Sequence, residues 1–114
     1  KKNKKKILEI FIRFLLVLFK QIHEKGLKFG IYADYGKKTC EGYPGTLEIN
    51  MATDAKTFVE WGVDFIKLDG CFTDPLDMEL GFINFGYWMW KMGRPMVYAC
   101  SWPIYQNYMG ISVN

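Results

Sequence analysis

A lysine and an aspartate stand two positions apart in the run IKLDG, at Lys67 and Asp69. The preceding residues are typical of a strand, and alternation along a strand places both side chains on the same face. An ammonium group beside a carboxylate favours the ionised carboxylate and lowers its pKa, which is what a carboxylate nucleophile requires. The same pair also fits a salt bridge that closes the end of a barrel, and the spacing alone favours neither interpretation.

Other polar side chains also stand at the ends of predicted strands. Tyr32 and Asp34 end the first strand, and Asp34 either hydrogen-bonds a polyol or, as we expect, caps the following loop. Ser101 and Trp102 follow the third strand and offer a polar group and an aromatic surface to a sugar, although Trp102 would equally suit ordinary packing. The single histidine, His23, lies in the last turn of a predicted helix, where we expect it to cap that helix.

The chain has three cysteines, an odd number. Cys40 and Cys71 lie in the loops after the first and second predicted strands, so a disulfide between them is plausible. Such a bond indicates an oxidising compartment. Cys100 ends the third strand, and a partner outside the 114 residues would explain the odd count.

Helical and strand-like segments alternate along the chain. We predict helices over residues 7–25, 54–61 and 75–92, and strands over residues 27–33, 63–68 and 95–100. This alternation requires parallel strands joined by right-handed helical crossovers. A doubly wound nucleotide-binding sheet would need a glycine-rich turn after its first strand, where Gly36 stands alone. We therefore predict an α/β fold, a partial (β/α)8 TIM barrel of about three consecutive βα units, because a whole barrel takes about 250 residues.

The composition excludes several classes of protein. Half of the 114 residues are apolar and 18% are aromatic, so the chain is neither disordered nor of low complexity. The formal net charge is +3, but five of the positive charges are lysines within residues 1–6. Without them the net charge is 3 − 5 = −2, so the rest of the chain is slightly acidic and has no nucleic-acid-binding pattern. One histidine rules out a multi-histidine metal site, and we expect neither a metal nor a cofactor.

The apolar run over residues 7–19 has three interpretations. A membrane span needs about 20 apolar residues, and Glu9 and Arg13 interrupt this shorter run. A signal peptide fits the basic start, but no small-residue cleavage site follows Phe19. We favour a buried helix that Gly26 ends, because apolar residues fall almost all round it, and we predict no membrane span.

Three motifs together resemble a known family. They are GLKFGIYADYGKKTCEGYPG at residues 26–45, DAKTFVEWGVDFIKLDGC at 54–71 and GRPMVYACSWPIY at 93–105. Their order and spacing are similar to those of the retaining α-galactosidases and α-N-acetylgalactosaminidases of the lysosomal type, which are glycoside hydrolases of the melibiase type. The resemblance implies a catalytic (β/α)8 barrel that cleaves terminal α-linked galactose or N-acetylgalactosamine with retention of configuration.

The resemblance also implies roles for individual residues. Asp69 falls on the family's nucleophile, and Tyr32 and Lys67 fall on residues that contact the sugar. Ser101 and Ile104 fall on the two positions that contact the sugar's 2-substituent. Serine is typical of members that accept N-acetylgalactosamine and a bulky aliphatic residue of members that prefer galactose, so the preference stays open.

Cysteine pairing follows from the resemblance as well. Cys40 and Cys71 fall on a family disulfide, while the counterpart of Cys100 pairs with a cysteine further along. The family's acid/base aspartate also lies downstream, and the paired aspartates that hold the sugar hydroxyls lie upstream.

The resemblance divides the chain in two. Residues 1–20 form a divergent basic and apolar segment, and residues 21–114 form a fragment of the glycoside hydrolase domain. By resemblance we expect a lysosomal or secreted protein that acts on terminal α-galactoside or α-N-acetylgalactosaminide glycans, with a homodimer for the full-length member and no nucleic-acid partner. The alternative is a catalytically inactive barrel fragment that serves, if at all, as a binding or interaction piece.

Overall fold

The computed structural model describes the backbone of residues 2–113, and the side chains of residues 6, 7 and 9–113. Much of the lysine run at residues 1–6, and residue 114, therefore lie outside the described side chains. The elements in chain order are α1 (Lys2–Glu24), β1 (Gly30–Asp34), α2 (Met51–Glu60), β2 (Phe65–Asp69), α3 (Pro75–Lys91), β3 (Val97–Cys100) and α4 (Trp102–Tyr108). A short 3-10 turn, Glu48–Asn50, leads directly into α2.

The three strands form one parallel sheet in the order β1-β2-β3. This confirms the alternating pattern of strands and helical crossovers. The register places Tyr32 opposite Lys67 and Asp34 opposite Asp69. Four polar side chains from two neighbouring strands are thereby brought together at the carboxyl ends of the strands, where barrel enzymes carry their sites.

The core lies on one face of the sheet, between the strands and the helices α2 and α3. Ile66 and Leu68 are fully buried, as are Phe82 and Phe85 of α3. Lys67 lies between the two buried positions of β2 and points to the opposite face, as period-two alternation requires. The helices thus cover one face of the strands, and the polar residues occupy the other.

Helix α1 is only partly packed, contrary to the predicted burial all round. Phe19 is buried against Phe29, with ring centroids 4.0 Å apart, and also faces Trp61. The described apolar side chains of α1 that are more than half exposed are Ile7, Ile10, Phe11, Phe14 and Val17. The contacts of α1 described here come from Phe19 and His23, near the end of the helix, whereas the exposed apolar side chains lie in its earlier turns. Among the described residues, no helix has the length and apolarity needed to cross a bilayer.

A polar cluster at the opposite end of the sheet joins four segments around Asp64. Its carboxylate accepts hydrogen bonds from the Phe29 backbone N–H at 2.9 Å and from Arg94 at 2.8 Å. The ring of His23 lies 2.6 Å from the same carboxylate. The prediction that His23 caps its own helix is therefore wrong, because the carboxylate of Asp64 is its partner.

The end of α1 and both ends of α3 fall within one residue of the bounds that the sequence predicts, whereas the start of α2 does not. Gly26 and Gly93 have φ of 74° and 78°, the left-handed conformation expected just after a helix. Asp74 caps α3 by accepting from the Leu76 backbone N–H at 3.0 Å. Helix α2 begins earlier than predicted, at Met51 after the 3-10 turn, and the side chain of Asp54 instead accepts the hydroxyl of Thr46 at 2.9 Å.

Candidate active site

Asp69 ends β2 and is held by three donors. Its Oδ1 accepts a 2.7 Å hydrogen bond from the hydroxyl of Tyr105 and a 3.1 Å bond from the backbone N–H of Gly70. Its Oδ2 lies 3.0 Å from Nζ of Lys67. The side chain is about one-tenth exposed, so the carboxylate is fixed in position yet reachable from one side.

The surroundings of Asp69 keep it ionised. Burial alone would raise the pKa of Asp69, but the hydrogen bonds from Tyr105, Lys67 and Gly70 outweigh burial and hold its pKa below the ordinary value. Burial and the bond to this carboxylate raise the pKa of Tyr105 to about 12. At neutral pH, a charged carboxylate therefore faces a protonated phenol that donates to it.

Tyr32 and Lys67 lie side by side next to this carboxylate. Nζ of Lys67 is 5.4 Å from the centroid of the Tyr32 ring, within cation–π range. Both side chains are close to half exposed, so a ligand could reach the ammonium and the phenol together. The sequence placed Lys67 and Asp69 on one face of the strand, and the ion pair between them confirms that prediction.

Asp34 is buried beneath these groups, with only 1% of its surface exposed. Its Oδ2 accepts hydrogen bonds from the hydroxyl of Tyr32 at 3.0 Å and the backbone N–H of Cys71 at 3.2 Å, while its Oδ1 has no hydrogen-bond partner among the described residues. Burial raises the pKa of Asp34 above the ordinary value. The predicted loop cap is therefore wrong, because Asp34 joins Tyr32 to the loop that follows the neighbouring strand.

Cys40 and Cys71 form a disulfide, as the sequence predicted. It links the loops after β1 and β2 and lies against the site. Sγ of Cys40 is 3.1 Å from the Tyr32 hydroxyl oxygen and 3.7 Å from Oδ2 of Asp69. Sγ of Cys71 is 3.4 Å from the hydroxyl oxygen of Tyr105. The bond therefore braces the rim of the site, while Cys100 is a free thiol.

Ser101 and Ile104 both belong to the segment that forms α4. Ser101 occupies the N-cap position of that helix, and its backbone N–H donates to the carbonyl of Leu68 at 3.1 Å. Ile104 is half exposed and directly precedes Tyr105. Trp102 packs against the core, which supports ordinary packing for that side chain.

Sequence reasoning missed Tyr105, the donor closest to Asp69. It lies on α4, a helix of seven residues that the sequence analysis did not predict. Such a short helix shows no clear periodicity, and the one local signal is Pro103 near its start. Only the fold brings this phenol to a carboxylate that lies 36 residues earlier.

Comparison with known proteins gives a consistent result. The family described as alpha galactosidase A matches residues 6–114. Alpha-N-acetylgalactosaminidase from Gallus gallus is 44% identical over 106 residues, which cover 93% of this chain and 26% of that relative. Alpha-galactosidase A from Homo sapiens is 47% identical over 85 residues, which cover 74% of this chain and 20% of that relative.

The solved structures agree with the sequence relatives. The crystal structure of alpha-galactosidase I from Mortierella vinacea superposes with a TM-score of 0.70 at 35% identity, covering 75% of this chain and 23% of that chain. This chain thus spans about a quarter of the length of the relatives that it matches.

Proposed function

The chain belongs to the alpha galactosidase A family, and we propose that it carries the nucleophile of a retaining glycoside hydrolase site. Its three parallel βα units are part of the (β/α)8 barrel of that family, as the sequence predicted. One observation supports the proposal above the others, the ionised and immobilised carboxylate of Asp69 at the end of β2. The substrates we propose are terminal α-linked galactosides or N-acetylgalactosaminides.

The proposed reaction is a double displacement. A carboxylate oxygen of Asp69 attacks the anomeric carbon while the bond to the aglycone oxygen breaks and that oxygen takes a proton from a second carboxyl group. Water, deprotonated by the same second group, then attacks the anomeric carbon and releases Asp69. The configuration inverts twice and is therefore retained.

The second carboxyl group in this proposal is not Asp34. That side chain is 1% exposed and its Oδ2 is already bonded to Tyr32 and Cys71. A general acid must reach the leaving-group oxygen, which a buried side chain under the disulfide does not. On family resemblance, we assign the acid/base role to an aspartate further along the full-length protein than these 114 residues.

Tyr32 and Lys67 are the proposed sugar contacts. The hydroxyl of Tyr32 donates a hydrogen bond to Asp34. Its oxygen is therefore available to accept a hydrogen bond from a sugar hydroxyl. The ammonium of Lys67 has three protons, of which one faces Asp69. Its other protons can be donated to sugar oxygens, so the same lysine would orient both the nucleophile and the substrate.

Ser101 and Ile104 are the proposed selectivity residues. A serine leaves room for an acetamide at C2 of the sugar, whereas the branched side chain of isoleucine occupies that room. In a chimera that carries residues 21–114 in place of the aligned segment of human alpha-galactosidase A, we expect Ile104→Ala to improve kcat/KM for the N-acetylgalactosaminide relative to the galactoside. An unchanged ratio of the two kcat/KM values would remove Ile104 from this role.

Assembly and location are part of the same proposal. The disulfide between Cys40 and Cys71 indicates folding in an oxidising compartment. This supports a lysosomal or secreted protein. A homodimer is proposed for the full-length enzyme on family resemblance.

A second candidate function is a non-catalytic binding piece. One observation favours it, because a sheet of three strands has two open edges and an uncovered inner face. Assaying residues 1–114 alone on p-nitrophenyl α-galactoside tests whether this segment is catalytically complete, and the chimera described next separates the two candidates. We expect no release of p-nitrophenol, and robust hydrolysis would contradict the assignment of the acid/base to a residue outside this segment.

Activity of the segment in a complete barrel is tested with a chimera. Residues 21–114 replace the aligned segment of human alpha-galactosidase A, and turnover of the α-galactoside is measured. We expect an active chimera that Asp69→Asn inactivates while sugar binding persists. Asp77→Asn, an exposed aspartate in α3, is the matched control and should leave turnover unchanged.

A further inference from the structure

Helix α3 has apolar residues on two opposite sides. Phe82 and Phe85 on one side are buried in the core. The exposed large apolar residues of the helix, from 48% to 76% exposed, are Leu76, Leu80, Ile83, Tyr87 and Trp90. At about 100° per residue they lie within about 80° of one another on the other side, and we call them the α3 stripe. In a barrel the helices form the outer ring, so further βα units flank α3 and do not cover this stripe.

The spacing of the α3 stripe is that of a helix–helix seam. Its members follow one another at intervals of four, three, four and three residues. A mean interval of about 3.5 residues is the pattern of a coiled coil, in which apolar side chains interlock with those of a facing helix. The stripe is about 21 Å long, and at roughly 100 Å² for each side chain it exposes about 500 Å² of apolar surface. Apolar patches of this size often mark interaction sites, and this one fits another helix.

Charges beside the stripe favour an antiparallel partner of the same sequence. Asp77 and Lys91 are exposed, lie on the same flank of the stripe and directly follow its first and last members. In an antiparallel pair of identical helices this flank meets itself and opposite ends adjoin, so Asp77 of each copy approaches Lys91 of the other. A parallel pair would instead set Asp77 against Glu79 of the second copy, and these like charges repel.

We propose that the α3 stripe binds the α3 stripe of a second copy of this chain in the antiparallel direction. Leu76 and Trp90 are each seven residues from Ile83, and the two charged residues are each seven residues from position 84. The apolar and charged pairs therefore share one centre, as the two-fold axis of a symmetric dimer requires. The stripe offers less than the about 800 Å² per partner of a standard interface, so we expect a dimer that dissociates on dilution. The stripe faces away from the sheet that carries Asp69, and the proposal depends neither on the hydrolase proposal nor on family resemblance.

The test measures the dissociation constant of the dimer by analytical ultracentrifugation of the 114-residue chain, with Cys100→Ser to remove the free thiol. We expect a concentration-dependent dimer, and Ile83→Lys at its centre should raise Kd by about a hundredfold or more. Phe14→Lys, on the exposed side of α1, is the matched control and should leave Kd unchanged. Both positions are exposed, and far-UV circular dichroism verifies that each variant is folded. A chain that stays monomeric at all concentrations, or association that Ile83→Lys does not weaken, would overturn the proposal.

The orientation is tested separately, by exchanging charges and by cross-linking. We expect Lys91→Glu to raise Kd by about tenfold, because it turns two attractions into repulsions, and the further change Asp77→Lys to restore Kd to within about threefold. Under mild oxidation, Ile83→Cys should cross-link to a second Ile83→Cys chain, whereas Leu76→Cys should cross-link to Trp90→Cys and not to itself. A parallel pair would cross-link Leu76→Cys chains to one another. That result, or a double variant that stays weak, would overturn the antiparallel dimer.

Discussion

The hydroxyl of Tyr105 donates a 2.7 Å hydrogen bond to Oδ1 of Asp69 from a helix that begins after the next strand. This bond is the first of the favourable interactions that outweigh burial and lower the pKa of Asp69. It makes a short helix, rather than the strand alone, responsible for the protonation state of the proposed nucleophile.

Tyr105→Phe in the active chimera is expected to lower kcat/KM by about tenfold or more, because a hydrogen bond to a charged group contributes about 1.5–3 kcal/mol. Removal of the donor raises the pKa of Asp69, so the acid limb of the pH profile of kcat/KM should move to higher pH. Tyr108→Phe, an exposed tyrosine of the same helix, is the control. An unchanged acid limb would show that Tyr105 does not tune the carboxylate.

Asp64→Asn is expected to destabilise the chain by about 1–2 kcal/mol at neutral pH, because it removes the charged acceptor of Arg94 and His23, although Arg94 keeps its bonds to the carbonyls of Gly62 and Val63. Burial would raise the pKa of Asp64, but the Phe29 N–H and His23 outweigh it and lower that pKa. The stabilisation is therefore present above the ordinary aspartate pKa of about 3.9 and is lost as the pH falls through the lower folded value.

Urea unfolding at neutral and acid pH measures this effect. The difference in unfolding free energy between the native chain and Asp64→Asn should shrink as the pH falls below about 4. Asp77→Asn serves as the exposed control. A difference that stays constant down to acid pH would contradict the role given to the ionised carboxylate.

Gly81→Ala is expected to destabilise the fold by about 1–3 kcal/mol despite the better helix propensity of alanine, which is worth about 1 kcal/mol. A Cβ at position 81 would overlap the ring of Tyr35, whereas at Gly86 its nearest neighbour is Tyr98 at 3.2 Å. Thermal unfolding of both variants compares the two sites. Gly86→Ala should cost less, and a stabilised Gly81→Ala would contradict the packing described here.

Cys71→Ser is expected to lower the unfolding free energy by about 3–4 kcal/mol, the loop-closure value for a disulfide that spans 31 residues. Cys100→Ser, which removes the free thiol, should leave stability nearly unchanged. Denaturant titration of both variants without reductant makes the comparison. Equal stability would argue that the two loops are already ordered without the bond.

Much of the fold was predictable because its signals are local. Apolar runs separated by helices predicted the parallel strands, and alternation along β2 placed Lys67 beside Asp69. The disulfide followed from two cysteines in loops on one side of the sheet. Each of these features depends on strand geometry, which the sequence pattern expresses directly.

The features that escaped prediction depend on contacts between distant segments. Asp34 resembles a loop cap in sequence, and only the register with β2 buries it beneath Tyr32. The ring of His23 pairs with the carboxylate of Asp64, which lies 41 residues further along the chain. The exposure of the apolar side chains early in α1 depends on which segments pack against them, which periodicity within the helix does not reveal.

The central claim is that Asp69 is the nucleophile, and covalent trapping tests it most directly. The active chimera is incubated with a fluorinated galactosyl fluoride, which forms the glycosyl-enzyme but slows its hydrolysis, and peptide mass spectrometry locates the label. We predict one sugar attached to Asp69, with no label on Asp34. A label on any other carboxylate, or full turnover by the Asp69→Asn chimera, would contradict the account.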